Sequence, residues 1–336
     1  MAKKAVCLLF MLLFLAACGS SPASREHSAD FFAMDTYMSI RAWGAEEGLL
    51  PRAEQLVYRL ESELSVTRDD SVIAVLNRSG SALLPDDVIP LFETALNLCE
   101  DTGGALDISV YPILQAWGFT AEEYRVPSET ELASLLESVN YRQIAFDPAT
   151  GEVSVPDGCE LDLGSVAKGY TADLITALLR DNGVTSALLD LGGNIQAIGT
   201  KPDGSSWRVA VQDPAGQGYL GVVNVADSAV VTSGGYERFF TDESGNTWWH
   251  IIDPATGYPA HSGLLSVTVI GKSGVICDGL STALFVMGRD KSESYWREHR
   301  DFEMILMTEE GRLIITDGIS DSFTPAEGMT AEVISG

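Results

Sequence analysis

Positive charge is what this sequence has least of. Lysine and arginine number 21 against 48 aspartates and glutamates, a formal charge of −27 over 336 residues. That balance excludes nucleic acid as a partner, because binding its phosphates needs a basic surface. Histidine is sparse as well, and three of the four, His27, His261 and His299, sit in no recognisable motif. Beyond Cys18 the cysteines are Cys99, Cys159 and Cys277. Their odd number implies no full disulfide framework and their spacing matches no zinc pattern, so buried free thiols are expected. No period of about 20–50 residues recurs, which argues against a solenoid.

What is present begins with an apolar segment. Lys3 and Lys4 precede an apolar run over residues 5–17, too short to span a bilayer and laid out as a secretory signal. It ends in Leu15-Ala16-Ala17-Cys18 followed by Gly19-Ser20-Ser21, which resembles a bacterial lipoprotein signal, with cleavage before Cys18 and lipid attached to it. Residues 1–17 hold two bases and no acid, so the mature chain would carry 19 basic and 48 acidic side chains, a balance of −29. Acyl chains on Cys18 would hold such a protein on the extracytosolic face of the bacterial cell membrane where its charge could not. Residues 18–30 are small, polar and Pro-containing, and a flexible tether is expected there.

Apolar spacing predicts helices over 51–64, 88–99 and 276–287. Ser128 and Glu131 make a capping box for another, reaching residue 139. Residues 144–146 and 153–155 flank Asp147-Pro148-Ala149-Thr150-Gly151 and read as a hairpin. Strands are expected at 38–43, 186–191, 207–212, 229–232, 248–252 and 265–270, with a last hairpin joining 304–307 to 313–316. The two kinds of element mix without strict βαβ alternation. The expected class is therefore α+β, a single compact catalytic domain of mixed β-sheets and helices over residues 31–336.

Three constellations could carry chemistry. The stretch Gly164-Ser165-Val166-Ala167-Lys168-Gly169 puts a lysine in a Gly-flanked loop at the head of a helix expected over 166–180. It is not a Walker A loop, since no Gly-Lys-Ser/Thr follows. A helix N-terminus with a nearby lysine could still hold an anion that the global charge repels. Asp278, Ser281 and Thr282 stand at i, i+3 and i+4, one helix face with three hard oxygen donors that suit Mg²⁺. His250 precedes Asp253-Pro254-Ala255-Thr256-Gly257, the pentapeptide already met at 147–151 and hence turn chemistry first.

In order along the chain, these pieces resemble the FAD:protein FMN transferase, or ApbE, family. The resemblance begins near Met34-Asp35-Thr36-Tyr37 and continues through Ser65, Ser71, Asn77, Ala105-Leu106-Asp107 and Trp117-Gly118-Phe119. The block from Asp162 to Tyr170 is its strongest part; Leu191 to Asn194, Lys201 to Gly204, Thr232-Ser233-Gly234, the His250–Pro259 block and Asp278 to Gly288 follow. It implies an ApbE-like fold and a Mg²⁺-dependent enzyme that cuts the FAD pyrophosphate. FMN passes to a threonine or serine hydroxyl of a target protein, and AMP leaves. Implied acceptors are extracytosolic flavoproteins such as subunits of sodium-pumping quinone reductases and Rnf-type complexes. Residue by residue, the resemblance puts Met34, Ala105, Leu106, Asp107, Asp162, Lys168 and Ile252 against FAD. It puts the Ser165 backbone oxygen, Asp278, Ser281 and Thr282 at the metal, and makes His250 the candidate base. Asp35 stands where glycine is usual, Thr67 where a tyrosine often lines the flavin pocket, and Asn194 where aspartate is frequent. Two other functions fit the same residues: a Mg²⁺-dependent FAD pyrophosphatase giving FMN and AMP, and a lipoprotein that binds FAD without turnover.

Overall fold

A computed structural model describes residues 25–121, 123–216 and 218–336. The expected signal segment and Cys18 lie outside the described residues. Among the described residues the first elements are β1 (Glu26–Ala33) and β2 (Thr36–Trp43), paired antiparallel across the two-residue turn Met34-Asp35. Both turn residues have positive φ, 49° and 58°, as a primed two-residue hairpin turn requires. β1 corrects the expected tether, since residues 26–30 are ordered in this strand rather than free. Of β1 only Phe31 and Ala33 are buried, so those five residues carry little apolar signal. Backbone pairing with β2 orders them instead.

α1 (Leu49–Leu64), α2 (Val72–Ser79), β3 (Ser81–Leu83), α3 (Ile89–Asp101), α4 (Tyr111–Trp117) and α5 (Glu129–Leu136) come next. They are followed by β4 (Ala145–Asp147), β5 (Glu152–Ser154), α6 (Gly164–Asp181), β6 (Ser186–Leu191), β7 (Asn194–Ile198), β8 (Trp207–Gln212), β9 (Tyr219–Val225) and β10 (Ser228–Gly234). β11 (Phe239–Thr241), β12 (Thr247–Trp249), β13 (Leu264–Gly271), α7 (Gly274–Met287), α8 (Arg289–His299), β14 (Glu303–Thr308), β15 (Leu313–Thr316), β16 (Phe323–Pro325) and β17 (Ala331–Ile334) complete the chain. The capping box forms, with Ser128 Oγ accepting from the Glu131 N–H at 3.2 Å, but α5 stops at Leu136 rather than 139. No helix is expected from the sequence at α2, α4 or α8. α2 and α4 are short, at eight and seven residues, and α8 buries just Ser292 and Trp296.

The fold is α+β. Its nine-stranded sheet runs β1-β2-β6-β7-β10-β13-β14-β15-β17, and only the β15–β17 pair is parallel. The middle strands are apolar on both faces, as a sheet covered on both sides must be. Along β10, Ala229 and Val231 pack with the helices, including Leu98, Val166 and Phe285, while Val230 packs with Val209 and Val223 of the small sheet β16-β9-β8. β14 alternates likewise, with Met304 and Leu306 toward the helices and Ile305 and Met307 toward the small sheet. α6 and α7 thus lie side by side on one face of a rigid platform.

The repeated pentapeptide makes the same turn twice. Gly151 and Gly257 donate to the carbonyls of Asp147 and Asp253 at 2.8 and 2.9 Å, and both glycines are left-handed, with φ of 75° and 73°. Each aspartate also accepts from the alanine N–H two residues on, at 2.9 Å. This is an Asx turn dictated locally.

Candidate functional site

α6 and α7 touch where both carry glycine. A Cβ on Gly169 would stand 2.2 Å from the Gly274 carbonyl oxygen, and one on Gly274 would stand 2.5 Å from the Gly169 oxygen. Any side chain at either place would push the helices apart. Asp173 of α6 fixes the crossing by capping α7. Its carboxylate accepts from the Gly274 and Val275 N–H groups at 2.7 and 3.0 Å and from the Ser273 hydroxyl at 3.0 Å. Those are the donors that a helix start leaves unsatisfied.

The crossing brings two of the three constellations together. The Gly169 N–H donates to Asp278 Oδ2 at 2.8 Å, and Lys168, one residue earlier, is near enough to favour the charged form of Asp278. Asp278 is 5 % exposed, and burial raises its carboxyl above the usual range in spite of that lysine. A regular helix would give the Gly169 N–H to the Ser165 carbonyl. Sharing it with Asp278 leaves the Ser165 oxygen with acceptor capacity beside that carboxylate.

The first constellation differs from its expected form. Helix α6 starts at Gly164, so Lys168 and Gly169 are helical rather than in a loop, and Gly169 serves close packing, not flexibility. The helix head is also partly taken. Asp162 Oδ1 accepts from the Gly164 N–H at 2.6 Å, so an anion approaching the first turn meets a carboxylate already there. Lys168, not the helix end, is the positive group that α6 offers at this crossing.

Ser281 is wholly buried and donates to the Asp278 carbonyl at 2.8 Å. Ser233 at the end of β10 lies 2.7 Å from the Ser281 hydroxyl and 3.3 Å from that of Thr282. Sequence spacing missed Ser233 as a site residue because it comes from a strand 48 positions away. Among the described residues no group of three His, Cys, Asp or Glu side chains converges. Asp278, the Thr282 hydroxyl and the Ser165 carbonyl are hard oxygens around one buried carboxylate, which fits Mg²⁺ with retained water better than zinc. Asn194, 2 % exposed, lies against Asp278 and favours its charged form, while its buried Nδ2 lacks a well-aligned hydrogen-bond partner.

His250 follows β12, and its N–H donates to the Arg238 carbonyl at 3.1 Å, with Nδ1 3.3 Å from the same oxygen. The ring keeps some solvent contact. Burial first, then the charges of Arg238 and Lys168, lowers its pKa to about 4. It is therefore a neutral imidazole at pH 7. Glu237 was not foreseen; it sits within the charge range of Lys168, Asp278 and Arg238, and burial raises its carboxyl. Arg238 also acts on Asp162 and reaches Asp35 at 3.8 Å. One arginine thus links the β1–β2 turn to the His250 side of the site.

The remaining candidates divide. The Asn77 amide pairs with the Leu161 backbone in both directions, at 2.9 and 2.8 Å, and Asp162 N–H donates to the Ile108 carbonyl at 2.8 Å. These bonds set the 160–162 segment beside the one that follows Ala105 and Leu106. Leu106 packs in the core under α7 near Gly279, and Ala105 is partly exposed above it. Asp107 spends its carboxylate at home, with Oδ1 on the N–H and hydroxyl of Ser109 at 2.9 and 2.6 Å and Oδ2 on Tyr141 N–H at 3.1 Å. Met34 faces α6, where Thr171 donates to its sulfur at 3.9 Å. Ile252 belongs to a separate apolar cluster with Trp117 and Phe119; Trp117 clamps the 253–259 turn by donating to Gly257 O at 2.8 Å. Thr67 is exposed and bonded to Ser65. The three cysteines are free and buried, and burial pushes Cys99 and Cys159 up to about 12 and 11, so they are poor nucleophiles.

A family model described as the ApbE family matches residues 34–306. An FAD:protein FMN transferase of Treponema pallidum is 34% identical over 339 residues, covering 94% of this chain and 93% of that one. One from Klebsiella pneumoniae is 29% identical over 310 residues, covering 90% and 96%. Among solved structures, an ApbE protein of Thermotoga maritima has a TM-score of 0.83 at 29% identity, covering 89% of this chain and 99% of that one. The flavin transferase ApbE of Vibrio cholerae gives 0.79 at 25%, covering 89% and 99%.

Proposed function

Because this chain belongs to the ApbE family, we propose that it transfers FMN from FAD to a hydroxyl of an acceptor protein. A serine or threonine oxygen of the acceptor attacks the FMN phosphorus. A new phosphoester bond forms, the P–O–P bridge breaks, AMP leaves, and the hydroxyl proton goes to a base.

The observation that carries this proposal is the placement of Lys168 beside Asp278 at the α6–α7 crossing. FAD diphosphate is an anion, and the protein carries a formal −27. Lys168, itself half-buried, supplies local positive potential that outweighs distant, screened surface carboxylates. Asp278, Thr282 and the Ser165 carbonyl would hold Mg²⁺, with Ser281 behind them. Mg²⁺ held there would supply charge neutralisation to the pyrophosphate and to the leaving phosphate. His250, neutral at pH 7, can accept the acceptor's proton, a step typically worth about 10²–10⁴-fold. Arg238, whose carbonyl meets Nδ1, orients the ring. Ala105 with Met34 offers apolar contact to the flavin or adenine, and Leu106 holds Ala105 in place from the core. Asp107 acts through its backbone, since its carboxylate is already used. Ile252 supports His250 from the Trp117 cluster.

The lipid on Cys18, the extracytosolic location and an acceptor of the sodium-pumping quinone reductase or Rnf type complete the proposal. The signal-like layout of residues 1–21 supports them.

The test is incubation with FAD and Mg²⁺, with and without a threonine-bearing acceptor, beside Asp278→Ala. Flavin covalently attached to the acceptor is the expected result, and the variant should lose it. Free FMN and AMP irrespective of acceptor would make the protein a pyrophosphatase. Intact FAD in every arm would make it a binder.

A further inference from the structure

Resting on the cation site just proposed, we infer that Ser233 is a positioning residue that aims the Thr282 oxygen at the cation. Each hydroxyl has one proton to give, and the carbonyl partner of Ser281 assigns the others by elimination. Ser281 donates to the Asp278 carbonyl at 2.8 Å, and a carbonyl can only accept. The proton of Ser281 is therefore committed. The 2.7 Å contact between Ser233 and Ser281 then has Ser233 as donor. With that proton spent, the 3.3 Å contact between Ser233 and Thr282 has Thr282 as donor.

The result is a directed chain, Thr282 to Ser233 to Ser281 to the Asp278 carbonyl. It turns the Thr282 proton toward the sheet and leaves its lone pairs on the other side, where a cation needs them. Ser281, wholly buried and using its proton and one lone pair in the chain, stands behind Thr282 rather than in contact with the ion. The arrangement needs a hydroxyl near the end of β10, which the α7 spacing alone does not reveal. Partners one step behind a metal ligand typically change affinity by about 10–100-fold when removed.

The test is Mn²⁺ binding followed by electron paramagnetic resonance, with and without FAD, on wild type, Ser233→Ala, Ser233→Thr and Asp278→Ala. Wild type should bind and Asp278→Ala should not. Ser233→Ala should bind about 10-fold more weakly, and Ser233→Thr, which keeps the hydroxyl, should recover most of that loss. Thermal melting of each variant separates lost affinity from lost fold. If Ser233→Ala and wild type bind equally while Asp278→Ala is silent, the positioning role is overturned and the cation site stands. If wild type binds no Mn²⁺ in either condition, the cation site fails and Ser233 with it. Equal weakening in Ser233→Ala and Ser233→Thr would assign the residue a packing role instead and overturn the inference.

Discussion

The backbone N–H of Gly169 donates to the carboxylate of Asp278 at 2.8 Å, across 109 residues of chain. This one bond ties the lysine-bearing turn of α6 to the hydroxyl face of α7, and it exists because neither helix carries a side chain at the crossing. Gly169 and Gly274 act as one contact surface.

Gly169→Ala should therefore damage fold and site together. The added methyl would stand 2.2 Å from the Gly274 oxygen and 2.7 Å from the Asp278 Cβ, so backbone must move. Overpacking of this kind costs about 1–3 kcal/mol. Urea unfolding should show that loss, and FMN transfer should fall beyond what the unfolded fraction explains. An unchanged unfolding midpoint would mean that the helices can separate without penalty.

His250 should stay neutral well below the usual histidine range. Its folded pKa of about 4 lies under the ordinary histidine value of 6.5. Between those values the unfolded chain binds the proton and the folded chain does not, so this residue's contribution to stability is present above about 6.5 and declines as pH falls toward 4. Imidazole NMR shifts should report a midpoint near 4. A midpoint near 6.5 would show that solvent reaches the ring freely.

Asn77→Ala should loosen the segment that carries Asp162. Two hydrogen bonds to the Leu161 backbone vanish, leaving part-buried peptide groups unpaired at about 1–3 kcal/mol. FAD should bind more weakly by at least several-fold in titration by fluorescence. Asn77→Asp keeps the acceptor but not the donor, and should fall between.

Asp35→Gly should be neutral or stabilising, by up to about 1 kcal/mol, because φ of 58° suits glycine better than aspartate. The Asp35–Arg238 pair at 3.8 Å is largely exposed, and such pairs contribute about 0–1 kcal/mol. A clear loss of stability in chemical denaturation would show that the ion pair outweighs the backbone term.

Local chemistry was legible in the residues themselves. Both Asp-Pro-Ala-Thr-Gly segments fold as the Asx turn that their composition requires, and Ser128 caps α5 from three residues away. The spacing of Asp278, Ser281 and Thr282 places them on one helix face, because 3.6 residues per turn is a property of the backbone. The ordered motifs pointed to the family that the comparisons identify. The order of residues 26–30 is not legible in the sequence, since a half-exposed edge strand is held by hydrogen bonds to β2 that no composition records.

What the sequence alone determined is which side chains were available: one lysine at an α6 glycine, one carboxylate with two hydroxyls on α7, one histidine before a turn. The tertiary structure decided which of them meet. Asp173 reaches α7 from 101 residues away, Asn77 reaches Leu161 from 84, and Ser233 reaches Ser281 from 48. Such contacts depend on helix packing and sheet order, which bring distant segments together through burial of the whole core. No local rule of spacing encodes them.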